Sequence, residues 1–395
     1  MLKHIINIFE AHEEKFLKGG KYENLFPLFE AFQSFLYLPK TVTKSKVHVR
    51  DSVDTKRYMG IVVAALMPCF AFGTYNVGYQ TRLAGQLSLD LMSIIIDGLW
   101  VVLPLLIVSY GVGLGLEFLF CIIRGHEVNE GFLVTGMLYV LILPPTIPLW
   151  QAAVGIAFAV IVGKEVFGGS GRNFLNPALT ARVFLFFAYP AYMSGDAVWN
   201  RLTVAKDKLI DGYSGATALS VAAQAPAGSN VHEELINAGF GLKQLFIGLI
   251  PGSIGETSVI CVLMGAALLL ITKVGSWRTM AGGLIGATLT VVLFNTFGSG
   301  SYPFLMLEPT WQLFAGSFLF AIVFMATDPV SSPSLETSKW VYGIMIGVVG
   351  MIVRVMNPAY PEGWMLSILL MNVFAPLIDY VVLSVRLKKR IPNVV

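Results

Sequence analysis

Within Asp211-Gly212-Tyr213-Ser214-Gly215-Ala216-Thr217-Ala218-Leu219-Ser220, small residues surround one secondary hydroxyl, that of Thr217. Such surroundings let a large group, or the enzyme that attaches it, come close to the oxygen. The plain alternative is an Asp-Gly turn followed by Ser214 as the N-cap of a short helix, Ala216 to Ala225. Three carboxylates, Glu117, Asp328 and Asp379, lie in or beside otherwise apolar stretches. Ionisable groups there are costly, and they mark either function or a charge pair. For Arg182 and Arg354 a carboxylate-guanidinium pair is expected. For the three acids a cation path is equally consistent, because carboxylates and backbone carbonyls are the ligands a hard ion takes.

Backbone could also do chemistry here. The run Gly168-Gly169-Ser170-Gly171-Arg172-Asn173-Phe174-Leu175-Asn176 can aim N-H groups and the amides of Asn173 and Asn176 at an anionic or carbonyl-rich ligand. A simple turn is the other reading. Gly111, Gly113 and Gly115 lie in an apolar run with no strand before them, so they suit close helix packing or a flat ligand rather than a nucleotide fingerprint.

The elements that must position these groups are membrane helices. The chain of 395 residues is 55% hydrophobic and 13% charged, with mean hydropathy +0.71, against about 25% charged for a soluble domain. An all-α polytopic membrane protein follows. The net charge of +3 is small, and the basic residues gather at the ends of the apolar blocks, which makes nucleic acid an unsuitable partner. Cys69, Cys121 and Cys261 fall in apolar segments without CxxC spacing and read as small hydrophobes.

Residues 1–56 form an arm in which Leu25, Phe26, Leu28, Phe29, Phe32, Phe35, Leu36 and Leu38 recur at helical spacing. Lys40, Lys44, Lys46, Arg50, Lys56 and Arg57 precede the first apolar run and place the N-terminus in the cytoplasm. Ten candidate spans follow: 57–75, 97–123, 131–147, 150–167 and 174–193 in a first half, then 254–272, 279–296, 311–327, 339–357 and 364–385 in a second. Five crossings put the loop 194–241, with Thr217, outside. Ten return the tail 387–395 to the cytoplasm, where Arg386, Lys388, Lys389 and Arg390 agree with the positive-inside rule.

Two stretches repeat. Pro148-Leu149-Trp150-Gln151 with Gly155 is echoed by Pro309-Thr310-Trp311-Gln312 with Gly316, and each run leads to a polar break, Gly168 to Pro177 or Thr327 to Pro333. By span count the copies run parallel; one re-entrant segment would invert them, and inverted halves of five are common in transporters. Non-helical backbone at such depth has to be buried in protein or line a cavity.

These residues carry a family resemblance. His48 to Asp54, His126 to Phe132, Lys164 to Gly169, Gly171 to Leu179, Asp211 to Ser220, Pro251 to Glu256, Met325 to Val330 and Val355 to Gly363 resemble one family of membrane subunits, found in sodium-translocating NADH:quinone oxidoreductases (the B subunit) and in Rnf complexes (the D subunit). The arm before the first span favours the sodium-pump branch. The resemblance implies FMN on Thr217 through a phosphoester, attached by a separate flavin transferase that uses FAD and magnesium. Asp211, Ser214, Gly215 and Ala216 belong to that motif, and Gly215 and Ala216 would leave room for the transferase.

It further implies a non-covalent riboflavin, which our reading assigns to the two breaks, with Asn173 and Asn176 as contacts. Glu117, Asp328 and Asp379 match acidic positions tied to sodium passage. Gly113 matches a glycine associated with ubiquinone, and Leu114 stands where a second glycine is common. The segment between Gln80 and Asp97 is shorter than in the family. Implied partners are the other subunits of the complex, membrane lipid and quinone; the implied place is the bacterial inner membrane, with both termini cytoplasmic and the Thr217 loop periplasmic. NADH oxidation would belong to another subunit, since no dinucleotide fold is present. A channel or secondary transporter without redox chemistry is the other class that the repeat and the buried acids suggest.

Overall fold

Apolar runs of this length satisfy every backbone group within a helix, which is why they fold as helices and not as strands. The computed structural model describes residues 55–124, 131–201, 215–298, 302–357, 360 and 362–390, together with Lys15, Phe16, Gly20, Tyr22, Phe26 and Phe29 of the arm. The described residues contain helices and no strand. Most of the arm, residues 126–130, and Asp211 and Ser214 of the Thr217 motif lie outside them.

In chain order the main helices are α1 (Thr55–Ala84), α2 (Leu91–Arg124), α3 (Gly131–Leu141), α4 (Leu149–Ile161), α5 (Pro177–Ala188), α6 (Ala218–Ala223), α7 (Val231–Asn237), α8 (Leu242–Ile247), α9 (Val259–Ile271), α10 (Trp277–Phe297), α11 (Pro309–Phe314), α12 (Glu336–Met356) and α13 (Trp364–Arg390). Six apolar helical stretches are long enough to cross a membrane: α1, α2, Leu149–Phe167, α10, α12 and Trp364–Lys388. Three of the expected spans are shorter helices: α3, α5 and α9. A fourth, 311–327, is interrupted: α11 stops at Phe314, Gly316 turns the chain at φ +67°, and Phe318–Phe320 continues into a π-helical turn, Ala321–Met325.

The shortening has a physical cause. After 11 residues, about 16 Å of rise, α3 gives way to the irregular segment 142–148, and the irregular segment 248–258 precedes α9. The two segments satisfy one another: Ile254 N donates to Leu143 O at 3.2 Å and Gly255 N to Leu141 O at 2.7 Å. Ile142, Leu143 and Ile254 are buried, so this backbone is enclosed by protein as its depth demands.

Close helix approach comes from small residues. At Gly347 a Cβ would strike Gly283 O of α10, and at Gly286 it would strike Ile344 O of α12, so these helices touch backbone to backbone. The outer faces stay apolar: Trp100, Ile107 and Ile123 of α2 and Val373, Leu377 and Tyr380 of α13 are exposed.

The two repeat copies run in the same direction. α4 starts beside Val198, whose carbonyl accepts from Thr146 Oγ1 at 2.7 Å, and α11 starts with Trp311 in the buried cluster around Ala218 and Leu219 of α6. Both copies therefore begin at the end of the bundle that carries Thr217. Both finish at the opposite end, where Lys164 and Asp328 line one cavity. The start of α1 and the later part of α13, through Asp379, lie at that cavity end too. The echoed stretches are thus parallel, whereas the halves are opposed: α1 starts at the cavity end with Thr55 and Tyr58, and α9 starts beside Thr257 of the Thr217 cleft and ends with Leu269 at the cavity.

Candidate functional site

At the cavity end, the breaks after the two repeat helices meet. Gly168, Gly169 and Gly171 take φ of +110°, +92° and +83°, a left-handed run that only glycine adopts readily. That run bends the chain from α4 back to α5. Asn176 then caps α5 through Oδ1, which accepts from Ala178 N at 3.0 Å and Leu179 N at 3.3 Å, and Pro177 sets the first helical turn. Asn173 Nδ2 donates to Leu175 O at 2.9 Å, leaving its carbonyl oxygen for a ligand. Several backbone donors expected to face a ligand are used internally instead: Gly168 N goes to Glu165 O, Gly169 N to Lys164 O and Arg172 N to Gly169 O.

From the second copy come Phe324, Thr327, Asp328, Pro329 and Val330. The Asp328 carboxylate accepts from Ser331 Oγ at 2.6 Å and Val330 N at 3.3 Å. Desolvation by the surrounding protein pushes its carboxyl above the usual carboxylate range, against these donors, which pull it down. The cavity between the breaks has a volume of about 370 Å³, within the roughly 300–1,000 Å³ of small-molecule sites. Tyr58 and Val62 of α1, Leu138 of α3 and Phe324 supply apolar wall. Asn173 and Asn176 supply amides, and Lys164 and Asp328 supply charge of opposite sign. Flat rings with polar edges suit such walls.

Glu117 is buried on α2 and forms an ion pair with Lys164, which is also buried, at the end of α4. The ammonium lies 5.9 Å from the centroid of the Phe132 ring. Gly113, one turn before Glu117, is where Phe132 packs; a Cβ there would overlap the ring. The space that a flat ligand would use at Gly113 is thus filled by this chain's own side chain. Leu114 is half-buried and packs on the core, whereas Gly111 and Gly115 have no atom within 4 Å of a Cβ position. Asp379 is not in the cavity wall: it accepts from Ser334 N at 2.7 Å and Leu335 N at 3.2 Å, holding the start of α12. Among the described residues no group of three or more His, Cys, Asp or Glu could hold a metal ion.

At the other end, Thr217 is itself the N-cap of α6. Its φ of −91° and ψ of 159° are extended, and its oxygen accepts from Ser220 N at 3.3 Å. The cap was expected at Ser214 with a helix from Ala216 to Ala225; the helix is shorter, Ala218–Ala223, because the threonine takes the capping position. Thr217 is half-buried, and capping uses the lone pair of its oxygen, not its proton. At Gly215 a Cβ would strike Asp196 O, so close packing also calls for glycine there. Ala216 is half-buried beside it.

The Thr217 cleft also touches groups that sequence reasoning passed over. It measures about 30 Å³ and is shared with Ser253, Glu256, Ser317 and Glu362, room for about one water. Behind it Arg182 Nη1 holds both oxygens of Glu256, at 3.2 and 3.1 Å, and Nη2 holds Glu362 at 2.8 Å. The expected charge pair at Arg182 is present. Arg354 instead donates to carbonyls, Gln312 O at 2.5 Å and Glu362 O at 3.3 Å, and stacks on Trp364 with 5.0 Å to the ring centroid. Lys164, Glu256 and Glu362 were visible as polar residues within quoted motifs, but nothing local marks their partners.

The sequence profile of the NQR2, RnfD, RnfE family matches residues 42–388. The chain is 45% identical over 408 residues to the B subunit of the Na(+)-translocating NADH-quinone reductase of Pseudomonas aeruginosa (strain LESB58), with 98% of each chain covered. It is 47% identical over 402 residues, 96% of each chain, to the same subunit of Stutzerimonas stutzeri (strain A1501). The corresponding subunit of Haemophilus influenzae (strain PittEE) is 46% identical over 410 residues, with 97% of this chain and 98% of that one covered.

Proposed function

The chain belongs to the NQR2, RnfD, RnfE family, and from that premise we propose that it is the membrane redox subunit, of the B type, in a sodium-translocating NADH:quinone oxidoreductase. It passes electrons toward ubiquinone while sodium crosses the membrane, and another subunit oxidises NADH. The observation that carries this reading is the convergence of both repeat breaks on one cavity of about 370 Å³, with Thr217 at the far end of the same helices.

In this reading Thr217 bears FMN through a phosphoester, with Asp211, Ser214, Gly215 and Ala216 as the motif that a flavin transferase recognises. The free hydroxyl proton of the cap is the one lost when that bond forms. A cleft of about 30 Å³ cannot enclose a flavin, so the group lies over the surface or against a partner subunit. Riboflavin occupies the cavity, with Asn173 and Asn176 at its polar edge and Tyr58 and Phe324 along its faces. The flavins supply electron transfer when bound. α4, of 13 residues, sets the distance between the two sites at about 20 Å. Residues around Gly113 and Leu114 shape the quinone approach through Phe132, and Glu117, Asp328 and Asp379 serve the sodium path.

The membrane arrangement is ten crossings in two halves of opposite direction, 57–193 and 242–386, with α3, α5, α9 and the interrupted segment 309–325 completing the six long helices. The arm 1–56 and tail 387–395 are cytoplasmic, and the loop 194–241 is periplasmic in a bacterial inner membrane. Mass spectrometry of the peptide containing Thr217, from cells that possess the transferase, tests the reading: an FMN-sized adduct on that threonine is expected. An unmodified peptide from active complex would turn the assignment toward a transporter without redox chemistry.

A further inference from the structure

From the pair buried between α2 and the end of α4, we infer that Lys164 is a tethered cation that competes with sodium for Glu117. The inference rests on the reading of Glu117 as part of the sodium path.

The argument begins with burial. Side-chain exposure is 4% at Lys164 and 3% at Glu117, so water screens neither charge, and one carboxylate at contact with an ammonium cannot also hold a second cation at full strength. Sodium takes oxygen ligands and an ammonium offers none. The two cations therefore exclude one another at this carboxylate, and sodium binding requires the ammonium to leave.

A plain structural ion pair would have nowhere to send its lysine. Lys164 does: it lines the cavity of about 370 Å³, and Asp328 lines the same cavity. The Asp328 carboxylate is held by Ser331 and Val330, and no salt bridge to it occurs among the described residues. The neighbouring acid, Glu165, is already engaged by Arg124 at 3.0 Å, so it does not trap the ammonium. The backbone at Lys164 is placed for movement as well, between the last turn of α4 and a three-residue 3-10 turn, with Gly163 before it and Gly168 and Gly169 after. Release into the cavity exchanges one carboxylate neighbour for another without leaving the charge unpaired. Sodium then replaces the ammonium at Glu117, and the net charge there is unchanged.

The test is the sodium dependence of quinone reduction in the assembled complex. Lys164→Met removes the competitor and should lower the half-saturating sodium concentration roughly tenfold. Lys164→Arg keeps the charge and holds the carboxylate through a bidentate fork, so it should raise that concentration by a similar factor. A merely structural pair would alter assembly or thermal stability and leave the sodium constant alone. If Lys164→Met fails to assemble because Glu117 is left unpaired, Lys164→Arg decides. Half-saturation within twofold of wild type in the assembling variants, while Glu117→Gln does shift it, would overturn the competition. No shift with Glu117→Gln would instead remove Glu117 from the sodium path, a failure of the underlying reading.

Discussion

Arg182 and Glu256 form a two-point contact, with Nη1 at 3.2 and 3.1 Å from the two carboxylate oxygens across 74 residues of sequence. Both side chains are buried, and Glu362 completes the arrangement. This joins α5 to the segment that leads into α9, just behind the Thr217 cleft. Breaking such a pair leaves an uncompensated buried charge and costs about 3–5 kcal/mol. Arg182→Met should therefore lower the thermal unfolding temperature of the complex, or abolish its assembly. Arg182→Lys should recover little, because an ammonium cannot reproduce the fork geometry. Full stability of Arg182→Lys in a melting experiment would show that charge alone suffices.

The two roles of Thr217 can be separated. Thr217→Ala removes both hydroxyl and cap, and the cap loss costs about 1 kcal/mol. Thr217→Asn keeps a capping oxygen for Ser220 N and removes the hydroxyl. The asparagine variant should melt like wild type, yet give no fluorescent flavin band on a denaturing gel. A fluorescent band from that variant would place the covalent flavin elsewhere.

Asn176 likewise serves α5 and, in the proposed reading, the cavity ligand. Asn176→Asp preserves the capping oxygen and replaces the amide donor with an acceptor. Combined with Asn173→Leu, it should leave the helix content by circular dichroism unchanged and release most of the bound riboflavin, measured as flavin extracted without protease. Retention of the full amount would move the riboflavin out of this cavity.

Gly113 and Gly111 differ by half a turn of α2 and should differ in tolerance. A methyl at Gly113 meets Phe132, whereas at Gly111 it meets open space. Gly113→Ala should cost about 1–3 kcal/mol through overpacking and alter the KM for quinone, and Phe132→Leu in the same chain should restore part of both. Gly111→Ala should be neutral. Equal behaviour of the two glycine variants would mean that Phe132 moves aside freely.

Asp328 makes stability depend on pH with a defined sign. Its carboxyl is raised in the folded chain, so the folded state binds this proton more tightly than the unfolded state. The stabilisation is fully present below the ordinary carboxyl value of 3.8 and is lost as the pH climbs through the raised value. Asp328→Asn cannot ionise, so in sodium-free buffer its melting temperature should exceed that of wild type above this window and match it below. An unchanged difference across the whole range would show that the acid is charged and paired throughout.

Much of the site was legible because its signals are local. The glycine run before Asn176, the Asp328-Pro329 break and the Pro-x-Trp-Gln echoes of α4 and α11 all sit within a few residues, and each became a real interruption or helix start. Thr217 stood out for the same reason, and the helix cap lies on the threonine itself and not on Ser214. The span list was less accurate. Hydropathy averages over a window, so it does not register that 142–148 leaves the helix and finds its hydrogen-bond partners in 248–258.

Composition, hydrophobic period and the placement of glycine and proline act over short stretches. They are enough to specify the membrane class, the helical architecture, the two breaks and the residues able to do chemistry. The single cavity shared by both breaks and the meetings of Glu117 with Lys164 and of Arg182 with Glu256 became visible only in three dimensions. Those pairings span 47 and 74 residues. They depend on how each helix is rotated against its neighbours, a property of packing between whole helices that no single segment encodes.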